Sequence, residues 1–153
     1  MRLLDYIDPQ CVVVGLSSPD KKSTLNIMVD IVVEQGLVKD RKRLMEALQQ
    51  REKVVSTGIG NNIAIPHADL PEISSPRLAL GVFPQGVNFD SLDEEPVYIV
   101  FLLLGTPRTP GLHMKILARI ARLSKDADFA AGLRKALQPD QLLTVIEQIE
   151  SHH

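Results

Sequence analysis

Eight consecutive apolar residues, Val97–Leu104 (VYIVFLLL), limit the possible folds of this chain more than any other segment. The run is far shorter than the roughly 20 residues that a membrane-spanning helix needs. It has the length of a β-strand, and a strand that is apolar throughout is typical of one covered on both faces. The run therefore predicts the central strand of a layered α/β or α+β domain.

Helical periodicity precedes and follows this strand along the chain. After the turn-rich segment Ser17–Asp20, apolar residues recur on one face of a helix that Gly36 can end. Asp40 can cap a second helix, and Arg51 falls on the apolar stripe of that helix. Thr109–Pro110 has the pattern of an N-cap followed by proline at the first helical position. Two further helices are predicted at about 126–137 and about 140–150.

Shorter apolar segments predict the remaining strands. Cys11 precedes three valines and is most simply a buried strand residue. Ile63–Ile65 is preceded by Gly and Asn residues, which are typical of turns. Leu78–Phe83 and Val87–Phe89 are predicted as two strands joined by a turn at 84–86.

Composition and charge exclude several classes of protein. Seventeen Lys+Arg against nineteen Asp+Glu give a net charge of −2, whereas a general nucleic-acid-binding protein is usually strongly basic. A single cysteine cannot form an internal disulfide or a multi-cysteine metal site. The N-terminus has acidic residues where a signal peptide needs an apolar stretch, so we expect a cytoplasmic chain without membrane insertion. The 153 residues predict one domain, 1–150, and a tail, 151–153, that is either native or a tag remnant.

Two of the four histidines lie in the tail, and the other two occupy informative positions. His67 follows the predicted strand Ile63–Ile65 and Pro66. Strand ends that lead into loops are where α/β sheets place reactive groups, and an uncharged imidazole can act as a nucleophile near neutral pH. The alternative is a structural histidine that packs in the loop and hydrogen-bonds a carbonyl.

His113 lies in the first turn of the helix that opens at Thr109–Pro110. The free backbone N–H groups and the dipole at that helix end favour an anion such as phosphate. Helix starts are common, so a structural role is the alternative. A metal-dependent hydrolase built on His67 and His113 would lack an identifiable third ligand.

The segment before the predicted strand at 63–65 is rich in Ser, Thr and Gly. Ser56 and Thr57 could donate hydrogen bonds to an anion, or could cap the turn. Gly58-Ile59-Gly60 lacks the third glycine and the Gly-Lys-Ser/Thr of nucleotide-binding loops, so a tight turn is favoured. A triad of Ser56, His67 and Asp90 has no G-x-S-x-G motif to support it.

The twenty residues Arg51–Leu70, REKVVSTGIGNNIAIPHADL, resemble the phosphorylation segment of the fructose/mannitol-type enzyme IIA domains of the bacterial phosphoenolpyruvate-dependent phosphotransferase system. The combination of Arg-Glu, Ser-Thr-Gly-Ile-Gly and Ala-Ile-Pro-His makes this a specific signal. The similarity covers nearly the whole chain, including LALGVFPQGVNFDSLDEEPVYIVFLLLGTP and, around His113, LHMKILARIARLSKDADF. The chain is identified by this resemblance as a member of that family, which includes a nitrogen-regulatory branch.

The resemblance implies a single mixed β-sheet flanked by helices on both faces, with residues 1–150 forming one enzyme IIA domain. It implies that His67 accepts the phosphoryl group on its outer ring nitrogen, that His113 is the second active-site histidine, and that Arg51 assists. No metal, nucleotide or other cofactor is implied. Asp69 departs from the family pattern, because many relatives carry Arg or Lys there. An acid so close would repel a phosphohistidine unless its side chain turns away, which concerns partner choice or rate.

The residue types themselves support these roles. Phosphoryl transfer demands positioning and charge stabilisation, and the incoming group carries about two negative charges. Arg51 supplies a permanent planar fork of donors, and the start of the helix bearing His113 supplies N–H groups. The attacking nitrogen of His67 must be unprotonated, and a hydrogen bond from the other ring nitrogen would fix that tautomer.

Two hypotheses for function follow. The first is a phosphotransferase: His67 accepts phosphate from the phosphorylated histidine-containing carrier protein of the sugar phosphotransferase system and passes it to a cysteine of an enzyme IIB partner. Ile59, Ile63 and Leu70 could form part of the docking surface, or could belong to the core. The second hypothesis is a nitrogen-branch regulatory enzyme IIA, whose phosphorylation state controls binding to potassium-transport or signalling proteins.

Overall fold

A mixed six-stranded β-sheet forms the centre of the computed structural model, which describes residues 1–153. The strands are β1 (Ile7–Val13), β2 (Gly58–Gly60), β3 (Ile63–Ala64), β4 (His67–Asp69), β5 (Arg77–Val87) and β6 (Val97–Gly105). The helices are α1 (Lys21–Glu34), α2 (Arg41–Val54), α3 (Pro110–Leu123), α4 (Ala127–Arg134) and α5 (Pro139–Glu150), and a 3-10 turn, Leu3–Asp5, precedes β1. No helix has both the length and the apolar composition needed to cross a membrane.

The predicted apolar strand, β6, has neighbours on both sides within the sheet. It pairs antiparallel with β5 on one side and parallel with β3 and β4 on the other. β3 pairs near the start of β6, and β4 pairs with Leu103–Gly105 at its end. Pro66 lies between β3 and β4; it has no N–H to donate, but its carbonyl accepts a hydrogen bond from the Leu103 N–H at 3.0 Å. The chain thereby stays aligned with β6 and brings His67 to the carboxyl end of that strand.

Helices cover both faces of the sheet. α1 and α2 cover one face, in a core that includes Met28, Leu44 and, from β6, Leu102. α3, α4 and α5 cover the other face, where Phe101 of β6 stacks on Phe129 with ring centroids 6.1 Å apart. Alternate residues of β6 enter the two cores, which is why the strand is apolar throughout. The prediction of a mixed sheet with helices on both faces is confirmed.

The predicted turn at 84–86 is wrong. β5 runs unbroken from Arg77 to Val87, and its pairing with β6 shifts register between Val82 and Val87. Gly86 has a φ of +84°, the left-handed conformation that glycine adopts without steric cost. A proline-glycine segment that suggests a reversal of the chain therefore forms an irregularity within one strand, and antiparallel pairing resumes at Val87.

Two boundaries and one helix cap differ from the sequence-based predictions. His67 does not lie in a loop after β3, because it begins the short strand β4. α4 ends at Arg134 instead of about 137, because Gln138 must be extended before Pro139 opens α5. Thr109 does precede Pro110 at the start of α3, but its side chain makes no capping hydrogen bond.

Candidate active site

Three separate elements bring Arg51, His67 and His113 together. Arg51 lies in the last turn of α2, His67 at the first position of β4, and His113 in the first turn of α3. The Arg51 Nε–H donates to Nε2 of His67 at 3.2 Å. The two imidazole rings have their centroids 5.3 Å apart and their planes at 71°. The residues singled out from the sequence thus form one cluster in space.

Hydrogen bonds identify the tautomer of His67. Its Nδ1 lies 2.8 Å from the carbonyl oxygen of Ile65, and a carbonyl can only accept, so Nδ1 carries the proton. Nε2 accepts from Arg51 and therefore holds a lone pair in the neutral ring. The outer nitrogen, Nε2, is consequently the nucleophilic one.

The surroundings of His67 keep the ring uncharged. Burial is the largest cause and lowers the pKa of His67, because removal from water disfavours the charged form. The hydrogen bond to the Ile65 carbonyl opposes this shift, whereas the positive charge of Arg51 adds to it. The net effect places the pKa of His67 below its ordinary value, so the neutral nucleophile predominates at neutral pH.

A buried carboxylate fixes the chain between α2 and the site. Glu52 accepts a hydrogen bond from the Thr57 N–H at 3.0 Å and another from the Thr57 hydroxyl, and Lys21 Nζ lies 3.2 Å from the same carboxylate. Arg51 Nη1 donates to the Val55 carbonyl at 2.8 Å. Glu52 was not singled out from the sequence. Its place next to Arg51 on a half-buried helix is nevertheless a signal, because a buried carboxylate needs hydrogen-bond donors or a cation around it.

Ser56 and Thr57 lie beside His67, but their hydroxyls are used within the protein. The Ser56 hydroxyl donates to the Phe89 carbonyl at 3.0 Å and accepts from the Gly58 N–H at 3.1 Å. The Thr57 hydroxyl donates to Glu52. These bonds fit the turn-capping alternative, and the binding of phosphate by either side chain stays a prediction.

An apolar groove of about 320 Å³ opens beside His67 and Arg51. We use the name apolar groove for the surface formed by the apolar side chains Ile59, Ile65, Met114, Leu117, Ala118 and Ala121. Met114 is 63% exposed and Ile59 is 39% exposed, whereas Ile63 and Leu70 are fully buried. Ile59, Ile63 and Leu70 were each predicted to lie either on a docking surface or in the core. Only Ile59 reaches the surface of the groove.

Asp69 lies against His113. Its Oδ1 is 3.0 Å from Nδ1 of His113, within ion-pair distance, although the angle at the ring nitrogen falls short of a hydrogen bond. Gly105 of β6 pairs with Asp69 and lies beneath both side chains, since a Cβ at this position would come within 2.2 Å of His113 Nδ1 and 2.4 Å of Asp69 Oδ1. The sequence did not reveal this role of Gly105.

The other sequence alternatives lack the geometry they need. Both ring nitrogens of His67 have other partners, and the Ser56 hydroxyl donates to Phe89, so the triad with Asp90 does not form. The tight turn favoured for Gly58-Ile59-Gly60 is wrong, because these residues form strand β2 and pair with β3, and the turn lies at residues 61–62. No group of three or more His, Cys, Asp or Glu side chains is arranged to hold a metal ion.

Comparison with known proteins establishes the family. Residues 5–149 match the family described as phosphoenolpyruvate-dependent sugar phosphotransferase system, EIIA 2. The chain belongs to this family.

Its relatives carry two kinds of name. The chain is 30% identical over 148 residues to the fructose-specific EIIABC component of the phosphotransferase system of Bacillus subtilis, covering 97% of this chain and 23% of that protein. It is 33% identical over 146 residues to a nitrogen regulatory protein of Bradyrhizobium diazoefficiens, covering 95% of each. The chain thus spans about a quarter of the first relative and nearly all of the second.

A solved structure has the same fold. The nitrogen regulatory protein IIA-Ntr from Neisseria meningitidis superposes with a TM-score of 0.84 at 23% identity, over 93% of this chain and 97% of that one. The sheet and its two helical layers are therefore the fold of known enzyme IIA proteins.

Proposed function

We propose that this chain is a cytoplasmic phosphocarrier that takes a phosphoryl group on Nε2 of His67. The donor is the phosphorylated histidine-containing carrier protein, and the acceptor is a cysteine of an enzyme IIB partner. In the first step the Nε2 lone pair forms a P–N bond while the donor's P–N bond breaks, and the donor nitrogen keeps the bonding pair. In the second step a cysteine thiolate forms a P–S bond while the P–N bond at His67 breaks. The protonated Nδ1 facing Ile65 supports this most directly, because it leaves Nε2 as the free base.

Charged and polar neighbours of His67 fit the transfer. Arg51 already contacts Nε2, so its guanidinium needs only a small movement to donate to the phosphoryl oxygens. The ring centroid of His113 lies 5.3 Å from that of His67, close enough for His113 to contact the same phosphoryl group. The Ile65 carbonyl continues to accept the hydrogen bond from Nδ1–H while positive charge develops on the attacking ring.

The apolar groove fits the docking of protein partners. It lies next to the nucleophile and exposes large apolar side chains, of which Met114 is the most exposed. Donor and acceptor must reach the same nitrogen of His67, so both dock on this face in turn. The name of the Bacillus subtilis relative, an EIIABC component, supports an enzyme IIB as the acceptor.

Transfer from labelled phosphoenolpyruvate tests the proposal. The protein is incubated with enzyme I, the carrier protein and the label, alongside the variants His67→Ala and His152→Ala. We expect His67→Ala to take up no label, while His152→Ala, which changes an exposed histidine of the tail, is labelled like the wild type. Undiminished label in His67→Ala would exclude His67 as the acceptor.

A regulatory role is the second candidate function. The observation that favours it is the match to a nitrogen regulatory protein over 95% of both chains. In this role the phosphorylation state of His67 controls binding to potassium-transport or signalling proteins, and no sugar needs to be moved. The site chemistry is the same in both roles.

Two measurements separate the roles. A pull-down compares partners bound by the wild type and by His67→Asp, and a second assay measures sugar phosphorylation with candidate enzyme IIB partners. Sugar phosphorylation that depends on His67 supports the transport role. A partner that distinguishes the two forms, without any sugar phosphorylation, supports the regulatory role.

A further inference from the structure

The buried imidazole of His113 has one ring nitrogen without a hydrogen-bond partner. Its Nδ1 is inaccessible to solvent and makes no bond that meets hydrogen-bond geometry. The His113 side chain as a whole is only 10% exposed. Leaving a buried polar group unpaired is destabilising. The Asp69 carboxylate, 3.0 Å away, is the acceptor that can remove this cost.

Asp69 is free to complete the contact. Its side chain is 45% exposed, so a modest rotation meets little steric resistance. Hydrogen bonds at catalytic sites are often poorly aligned in a structure without the reacting group. A rotation of the Asp69 side chain can supply the missing alignment, so the bond can form in the unphosphorylated protein.

We propose that Asp69 is a positioning residue that holds His113 in the Nδ1–H tautomer. An ionised carboxylate can only accept, so the proton of the neutral ring stays on Nδ1 and the lone pair stays on Nε2. This fixes the orientation of the His113 ring beside the His67 ring. The inference rests on the proposed role of His67 as acceptor, and it assigns a use to the acidic residue that departs from the family pattern.

Gly105 supports the same pairing from the sheet. A Cβ at Gly105 would occupy the space in which Asp69 Oδ1 and His113 Nδ1 meet, closer than 2.5 Å to each. Only glycine leaves this space open, so Gly105→Ala separates the pair without changing either side chain. This substitution gives an independent way to break the contact.

The tautomer is measured in unphosphorylated protein by long-range 1H–15N spectra of the imidazole nitrogens. We expect Nδ1–H at His113 in the wild type. Asp69→Ala and Gly105→Ala should shift His113 toward the Nε2–H form that isolated imidazoles favour. Asp69→Asn should preserve the tautomer, because its amide oxygen still accepts. Glu72→Gln, an exposed acid nearby in the chain, is the control and should change nothing.

Transfer rates from the phosphorylated carrier protein complete the test. We expect Asp69→Ala to be at least about tenfold slower, because a misplaced active-site side chain slows transfer, with Asp69→Asn closer to the wild type. An Nε2–H tautomer in the wild type, or a tautomer shift without a loss of rate, overturns the inference. The spectra do not depend on phosphorylation, so a wild type that takes no label at His67 contradicts the proposed function alone.

Discussion

The protonation of a single imidazole depends on a few atoms around it. His67 is partly withdrawn from water, its Nδ1–H donates a hydrogen bond to the Ile65 carbonyl, and its Nε2 accepts one from the guanidinium of Arg51. Burial and the positive neighbour both favour the uncharged ring. In the proposed transfer, the arginine that would stabilise the incoming phosphoryl group therefore also keeps Nε2 of His67 free of a proton.

The pH dependence of phosphorylation should reflect the lowered pKa of His67. A protonated ring cannot attack, so the rate should fall only as the pH decreases through that lowered pKa. Arg51→Gln removes a cause that lowers the pKa of His67, so the acid limb should move to higher pH, and the rate at neutral pH should fall about 100-fold with the loss of the charged donor.

Single-turnover rates from isolated phosphorylated carrier protein, measured across pH, provide this profile. Lys53→Gln removes an exposed cation from the same helix turn and should leave the profile unchanged. An acid limb that stays in place in Arg51→Gln would contradict the role assigned to the arginine.

Most residues of the candidate site could be predicted from the sequence. The Pro-His pair after a short apolar strand, the helix stripe ending in Arg51, and the helix start at His113 point to the three residues that meet in space. The partners of Glu52 and the contact between Asp69 and His113 could not be predicted, because they depend on how α2, β4 and α3 approach one another.

At the scale of elements, one buried carboxylate ties the N-terminus to the last helix. Glu150 of α5 accepts from the Leu3 N–H with both oxygens, at 2.9 and 3.1 Å, and from Arg119 Nε of α3 at 3.0 Å. Its side chain is 3% exposed. A charge so deeply buried is stable only while these partners remain.

Glu150→Ala should therefore destabilise the protein by about 3–5 kcal/mol, because it leaves the charge of Arg119 and the Leu3 N–H without their acceptor. The free energy of unfolding is measured by urea titration followed by circular dichroism. Glu147→Ala changes an exposed acid of the same helix and should cost less than about 0.5 kcal/mol. Equal stability of the two variants would show that Glu150 does not hold these elements together.

Element boundaries show the limit of local pattern. Apolar alternation could not reveal that β5 continues through Pro84–Gly86, because its pairing with β6 across the sheet overrides the turn signal. β4 has three residues and is too short to show a periodicity of its own. It forms a strand because it pairs with the end of β6.

At the scale of the whole molecule, the fold brings distant segments to one face. β6 lies between two helical layers, and its apolar character alone predicts that arrangement. The layer with α2 carries Arg51, and the layer with α3 carries His113 and much of the apolar groove. His67 and the apolar groove therefore lie on one side of the protein.

A charge in the groove should slow both exchanges. Met114→Asp places a carboxylate on the most exposed large apolar side chain of the apolar groove. We expect acceptance from the carrier protein and donation to the partner each to fall about tenfold, the loss for an interface residue worth somewhat more than 1 kcal/mol. Leu137→Asp is the matched control, because Leu137 is 81% exposed and lies outside the groove. Rates that fall equally in both variants, or in neither, would contradict a shared docking face.

The central claim concerns one nitrogen of one side chain. Long-range 1H–15N spectra of 15N-labelled protein, recorded after phosphorylation by the carrier protein, identify the modified atom directly. We predict that phosphorus is bound to Nε2 of His67 while Nδ1 keeps its proton toward the Ile65 carbonyl. Phosphorus on Nδ1 of His67, or on any other residue, would contradict the account.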